Sequence, residues 1–278
     1  MFVLMGLCCC ACRSGRDKAP SGVTSDTDST LLREADSLAV ADSLAEATAI
    51  PQNADELFDD FIYNYAGNER LQKRRTVFPL PCLVDGKLQF IEKKDWEHDS
   101  LFTNEAYYTL FYQREEDMDL EKDVSLDSVS VEWIYLADSE IRKYNFFREQ
   151  GLWKLTDIVQ ESTQEKPYAD FLRFFYQFAN DSVFQSDHVA TSLKFVSPDP
   201  DDEFEVLESV IDRDQWFAFR PLLPTTRMTN IDYGQSYRAD ARRAIIDLRG
   251  IGNGFNNTLY FNKVGDSWRL VQFDDLSN

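Results

Sequence analysis

The chain writes one pattern twice. "FIEKKDWEHDSLF" at residues 90–102 and "VIDRDQWFAFRPL" at 210–222 each open on an apolar pair, Phe90-Ile91 and Val210-Ile211. An acid and a base follow (Glu92-Lys93, Asp212-Arg213), and three positions on stands a tryptophan, Trp96 or Trp216. The likeness extends well beyond this segment. "DELFDDFIYNYAGNERLQ" (55–72) matches "ADFLRFFYQFANDSVFQ" (169–185) at a constant offset of 113, as in Phe58 and Phe171, Ala66 and Ala179, Gln72 and Gln185. The tryptophan segments pair at an offset of 120, and "NFFREQGLWKL" (145–155) matches "LYFNKVGDSWRL" (259–270) with Trp153 over Trp268 at 115. Three blocks in one order at nearly constant offsets describe a duplicated domain, with copies over 53–162 and 167–278.

Each copy reads as helices first and strands after. Asn53-x-x-Glu56 has the form of a capping box, and Leu57, Phe58, Phe61, Ile62 and Tyr65 then recur at helical spacing. The spacing predicts a second helix through Leu71, Arg75 and Phe78, stopped at Pro79. "LVDGKLQFI" carries an Asp85-Gly86 hairpin signal, and "YYTLFY", "VSVEWIYL", "IRKYNFF" and "LWKLTDI" are aromatic or β-branched and strand-like. Copy two ends likewise in "RRAIIDL", "NTLYFNKV", a Gly265-Asp266 turn and "SWRLVQF". Hydrophobic residues make up 43% and aromatics 14%, enough apolar material for packed cores. The fold class expected is α+β: two tandem cone-shaped domains, each an N-terminal helix pair packed on a curved antiparallel sheet.

A helix pair followed by such a sheet within about 110 residues resembles the nuclear transport factor two-like fold, also described as cystatin-like or ketosteroid-isomerase-like. Resemblance to that fold implies a cone that can hold a pocket. It also implies that the fused pair reproduces, inside one monomer, the dimer that such domains form.

The N-terminus reads as an address. "MFVLMGLCCCACRSGRDK" runs eleven largely apolar residues into Cys12 and then turns polar and basic. The run is too short to span a bilayer, which needs about 20 residues, and fits the apolar region of an export signal. It resembles the bacterial lipoprotein signal, with Cys12 behind Ala11 as the lipidated residue and Cys10 as the alternative. Residues 13–52 are rich in Ser, Thr and Asp, contain "ADSLA" twice, and read as an acidic flexible tether between the signal (1–12) and the first domain. The whole arrangement resembles a family of lipoproteins of unknown function from Gram-negative gut anaerobes. That resemblance implies a lipid anchor in the cell envelope, on its periplasmic side or in the outer membrane.

Charge narrows the partners. A net charge of -20 repels phosphate backbones, so nucleic acid is not an expected partner. The one basic run noted, "RLQKRR" at 70–75, reads as a solvated helix face. Cysteines stand at 8, 9, 10, 12 and 82, so no disulfide can form inside the folded copies. No Cys/His spacing for zinc exists, and neither a metal nor another cofactor is expected.

The carboxylates that interrupt apolar strands are Glu132 in "VSVEWIYL" and Asp247 in "AIIDL". By alternation Glu132 shares a face with Ser130 and Ile134. Ketosteroid isomerase shows how an apolar site can hold such a group neutral for catalysis, but a solvent-facing or paired carboxylate is the plainer reading. Of the two histidines, His98 follows the first tryptophan and His188 stands where copy one has Arg75. "RGIGNGFNN" (249–257) has Phe255 where the dinucleotide fingerprint needs glycine, and reads as a hairpin loop. "SPDPDDEFE" (197–205) lacks the glycine and closing glutamate of a calcium loop. Trp96 and Trp216 either stack on a ligand or anchor a short helix to the sheet.

The expectation is an envelope lipoprotein that binds a small molecule, glycan or protein without catalysis, with Trp96, Trp216, Glu132, Asp247 and His188 as candidate ligand contacts. The alternative is an isomerase- or dehydratase-like enzyme acting on a small apolar substrate in a cone pocket.

Overall fold

The computed structural model of the protein describes residues 55–202 and 204–278. Cys12, the tether and the Asn53 end of the capping box lie outside those residues.

Each repeat opens with its helix pair. In the first, α1 (Phe58–Gly67) buries Phe58, Phe61, Ile62, Tyr65 and Ala66, and α2 (Glu69–Arg74) follows. In the second, α3 (Ala169–Asn180) buries Phe171, Leu172, Phe174, Phe175 and Phe178, and α4 (Ser182–Asp187) follows. Both short helices start on an equivalent cap. Asn68 Oδ1 accepts from Leu71 N at 3.0 Å, and Asp181 Oδ1 accepts from Val183 N and Phe184 N at 2.9 and 3.0 Å, satisfying otherwise orphaned donors. The helix expected to run to Phe78 ends four residues earlier. Thr76 Oγ1 donates to Gln72 O, and Val77 N reaches across to Leu155 O at 2.9 Å, so tertiary pairing overrides helical spacing.

Among the described residues twelve strands make two six-stranded sheets. They are β1 (Leu80–Val84), β2 (Lys87–Ile91), β3 (Tyr107–Tyr112), β4 (Ser128–Tyr135), β5 (Glu140–Glu149), β6 (Leu152–Ser162), β7 (Val189–Pro198), β8 (Val206–Ile211), β9 (Arg227–Asp232), β10 (Arg243–Gly250), β11 (Asn256–Val264) and β12 (Ser267–Asp275). A 3₁₀ helix (Glu115–Lys122) follows β3, and α5 (Arg213–Phe219) follows β8. The orders are β2-β1-β6-β5-β4-β9 and β3-β10-β11-β12-β7-β8. Each sheet is antiparallel apart from one parallel pairing, β1 with β6 and β7 with β12. The expected turns are present: Asp85 and Gly86 both take positive φ (50° and 71°) in the β1–β2 hairpin, as a type I′ turn requires.

One strand of each repeat crosses to the other. β3 pairs with β10 and β9 pairs with β4, so each sheet is completed by its neighbour's strand. The crossing point is Thr109 against Thr229, buried and 120 positions apart, the same offset as the tryptophans. Thr109 N donates to Thr229 Oγ1 at 2.6 Å, Thr229 Oγ1 donates to Thr109 O at 3.0 Å, and Thr109 Oγ1 donates to Thr229 O at 2.5 Å. The cores follow the exchange. Ile231, Tyr233, Ile245 and Tyr260 join the first core, while Phe111, Ile134, Leu136 and Ile141 join the second.

The first core packs Phe58, Phe61 and Tyr65 of α1 around Phe146, with ring centroids 5.4, 5.9 and 5.2 Å away, and sets Phe58 edge-on to Trp153. The second packs Phe171, Phe174 and Phe178 of α3 around Phe261 at 5.4, 5.8 and 5.2 Å, with Trp268 beside Phe171. Side chains of the first helix thus pack against each sheet, where edge-to-face ring pairs add to the apolar burial.

Candidate functional site

The two tryptophans of the repeated segment have the same partner. Trp96 Nε1 donates to Gln72 Oε1 at 3.0 Å, and Trp216 Nε1 donates to Gln185 Oε1 at 3.3 Å. Each glutamine is buried on the second helix and donates from Nε2 to a carbonyl of the first, Tyr65 O or Phe178 O. A buried amide needs its donors and acceptor met, and the indole meets the acceptor. The segment itself is helical only in copy two. There Asp212 and Gln215 close a reciprocal capping box at 2.8 Å in both directions. Copy one has Glu92 and Asp95 in those places and forms a turn.

Glu132 is buried, on the face with Ser130 and Ile134 as alternation requires. Its strand neighbours are Lys143 on β5 and Asn230 on the exchanged β9. Lys143 Nζ lies 2.8 Å from Oε1, and Asn230 Nδ2 donates to Oε2 at 2.8 Å. Asn230 Oδ1 in turn accepts from Phe111 N at 2.8 Å, and Tyr237 OH donates to Phe111 O at 3.1 Å. Burial pushes the Glu132 carboxyl above the usual carboxylate range, and the Lys143 ammonium pulls against it.

Asp247 holds the matching place in copy two, 115 positions on, with Leu110 and Thr258 as its strand neighbours. Thr258 Oγ1 donates to Oδ1 at 3.0 Å, and Arg249 Nε to Oδ2 at 2.8 Å. Arg249 also bonds Glu121 on the 3₁₀ helix. Burial works against the Arg249 charge, but Asp247 and Glu121 outweigh it and raise its pKa. A further group that sequence reasoning missed adjoins this seam. Tyr233 OH donates to Asp59 on α1, and burial pushes the Asp59 carboxyl up against the pull of that bond. The buried Tyr112 hydroxyl has no hydrogen-bond partner among the described residues.

The histidines make local bonds. His98 Nε2 lies 2.7 Å from Ala66 O; His188 Nδ1 lies 2.7 Å from Phe184 O and its ring stacks on Phe184 at 3.9 Å. The five candidates within the described residues therefore do not converge: each has its own partners. Glu132 and Asp247 are related by the repeat, as are Trp96 and Trp216.

Open grooves lie on the surface instead. One of about 400 Å³ passes Trp96 and His98 and carries Asp95, Glu97, Asp99 and Arg142. Another of about 580 Å³, beside the β1–β2 hairpin, carries Asp85, Asp138, Glu140 and Glu161. A third of about 540 Å³ is different in kind: Arg114, Arg238, Arg242, Arg243 and Lys263 line it, and no carboxylate does. The run "RADARR" at 238–243 was a signal for it in the sequence, but Lys263 comes from the neighbouring β11, and only the exchange of β3 onto β10 brings Arg114, two residues past β3, there.

No curated protein is similar to the chain. Among solved structures, a crystal structure of an NTF2-like protein from Bacteroides fragilis NCTC 9343 is 48% identical, covering 81% of this chain and 98% of that one with a TM-score of 0.77. That likeness agrees with the two sheet-dominated cones described above. Residues 37–275 match a family described as a domain of unknown function (DUF4348), and the chain belongs to that family.

Proposed function

We propose that this protein is a lipid-anchored component of the cell envelope, attached through Cys12, whose folded body is a binding module without catalytic activity. The observation that carries the reading is the state of the two buried carboxylates. Glu132 and Asp247 are the groups best placed for acid or base chemistry, and both oxygens of each already face a cation or a hydrogen-bond donor. A general base must reach its proton within hydrogen-bond distance, and these side chains are spent on holding strands together.

Feeding cells a labelled fatty acid should mark the wild type and not Cys12→Ala. Label retained by the variant overturns the Cys12 assignment. Screening the purified body against small ketone and hydroxy-acid substrates should give no turnover; a turnover abolished by Glu132→Gln, Asp247→Asn or His188→Ala overturns the non-catalytic reading. The enzyme reading, an isomerase- or dehydratase-like activity, is favoured by one feature, the Asp59 carboxyl held by Tyr233 OH beside other buried tyrosines. It requires that turnover be lost in Asp59→Asn.

A further inference from the structure

The groove between the start of β10, the end of β11 and the end of β3 is out of character with the molecule. The chain carries 49 acids against 29 bases, yet among the described residues five cations and no carboxylate line this one cavity. The repeat supplies an internal control. Arg243 pairs with Asn262 across β10 and β11, and the matching pair in copy one, 115 positions earlier, is Ser128 with Phe147. Arg242 likewise replaces Asp127, a reversal of charge, and Lys263 stands over Arg148. Copy one keeps a cation only at Arg148, so Arg242 and Arg243 are not a requirement of the architecture.

The cations are positioned but incompletely used. Arg114 meets Asp117 at 2.5 Å, Arg238 meets Asp240 at 2.9 and 2.8 Å, Lys263 meets Asp170 at 2.5 Å, and Arg243 meets Glu115. Asp240 and Glu115 are exposed, and exposed ion pairs exchange at little cost, whereas Asp170 is half-buried and Asp117 is buried. Arg243 lies over the Tyr260 ring at 5.3 Å and Lys263 over Trp268 at 5.3 Å, which fixes their stems. Arg243 Nε is buried without a partner, and Arg242 meets a backbone carbonyl, Lys263 O at 2.8 Å, but no carboxylate among the described residues. The exposed Asn262 amide and Ser236 hydroxyl add neutral donors and acceptors at the same wall.

We infer that this groove is a binding site for a small hydroxylated polyanion, a molecule carrying two or more carboxylate or phosphate groups on a body with free hydroxyls. Planar guanidinium forks match such oxyanions two bonds at a time, and Asn262 and Ser236 suit the hydroxyls. A volume of about 540 Å³ lies in the range of small-molecule sites. No aromatic side chain among the described residues lines the groove, so they offer nothing for a nucleobase to stack on. The inference rests on the binding-module reading and names its ligand class.

Titration calorimetry on the intact folded chain tests it with three probes: fructose 1,6-bisphosphate, citrate and neutral fructose. Saturable binding of at least one polyanion, weakening as salt rises from about 50 to 200 mM, and no binding of fructose are expected. Whichever polyanion binds tighter identifies phosphate or carboxylate as the preferred group. Arg242→Asp, which installs the residue type of copy one at an exposed position, should weaken binding by about tenfold or more, the loss of one charge-assisted contact. Arg70→Asp, the same charge change on exposed α2, should change it by less than about twofold, as a remote screened charge does. No saturable binding of either polyanion at about 1 mM, equal binding of fructose, or equal losses in the two variants would overturn the site. Product analysis of the same samples separates the two readings: a converted probe overturns the non-catalytic reading and leaves the site, whereas absent binding overturns the site and leaves the module.

Discussion

In the first repeat Trp96 donates to Gln72, and in the second Trp216 donates to Gln185; Asn68 caps one short helix and Asp181 the other; Thr109 of one exchanged strand grips Thr229 of its twin. Elsewhere the copies part company. Glu132 faces Lys143 where Asp247 faces Thr258, Asp127 stands where Arg242 stands, and Trp153 Nε1 is buried without an acceptor among the described residues while Trp268 Nε1 donates to Asp170 at 3.3 Å. The shared set consists of hydrogen bonds that start a helix, tie the tryptophan segment to it or join the exchanged strands. The divergent set consists of charges. Duplication kept the bonds the scaffold needs and released the electrostatics, so the charged differences are where the two halves acquire separate properties.

The exchanged strands give the sharpest way to break the equivalence. Phe111 belongs to repeat one by sequence and to the second core by packing, stacked between Phe171 and Tyr237 at 5.3 and 5.4 Å. Phe111→Ala should cost about 3–5 kcal/mol, and Ile231→Ala, its opposite number in the first core, about 2–4 kcal/mol. Denaturant melts followed by separate probes in the two cones should shift together for either variant, because each cone is completed by the other's strand. A variant that destabilises only the cone bearing its sequence number would refute the coupling.

The seam carboxylates come next. Glu132→Ala leaves Lys143, whose side chain is 18% exposed, with only Glu161 at 3.6 Å, and should cost about 3 kcal/mol, the lower end for a broken buried pair. Asp247→Ala leaves Arg249 bonded to Glu121 and should cost about 1–2 kcal/mol. Replacing Glu132 and Lys143 together by methionine should recover most of the first loss, since the desolvation of both charges disappears with their attraction. Equal costs for the two single variants would mean that the seams are equivalent after all.

Much of this scaffold was legible before any coordinates. Offsets of 113 and 115 link like helices and like strands in the two halves, and hairpin signals at Asp85-Gly86 and Gly265-Asp266 marked turns that are present. The exchange was not legible, because a strand swapped between two like sheets keeps the same local pattern and the same offset as one that stays. "YYTLFY" did carry a trace of it: near-continuous apolar character marks a strand buried on both faces, and all but the first of its residues are buried. The alternation of Glu132 predicted its face correctly, but not that the face would be covered, since Ile134 on that face packs into the second core and Asn230 ties Glu132 to Tyr237 of the other repeat. The basic groove was hidden for the same reason. Arg114 and Arg243 are far apart in sequence and meet only after the strands cross.

Asp170 connects the smallest expected effect to that groove. It receives Lys263 and Trp268, and copy one has Leu57 at the matching position, so the comparison isolates one acidic group. Burial works to raise the Asp170 pKa, but the bonds from Lys263, Phe171 N and Trp268 outweigh it and hold the carboxyl below its usual range. A depressed carboxyl contributes stability that is present above its unfolded pKa of about 4 and is lost as pH falls through the folded value. Its side chain is 36% exposed, so solvent screening keeps the contribution under about 1 kcal/mol. Asp170→Asn should therefore lower stability slightly at neutral pH, and the gap from wild type should close on acidification below pH about 4. The same change frees the Lys263 ammonium at the groove wall. If that lysine takes part in polyanion binding, Asp170→Asn should tighten binding by up to about fivefold, the same energy read as affinity, while Arg242→Asp weakens it. The two substitutions move the net charge in opposite directions, so diffuse surface charge would give the same signs; a site is distinguished by size, and neutralising an exposed acid away from the groove, as in Glu69→Gln, should change the affinity by less than about twofold.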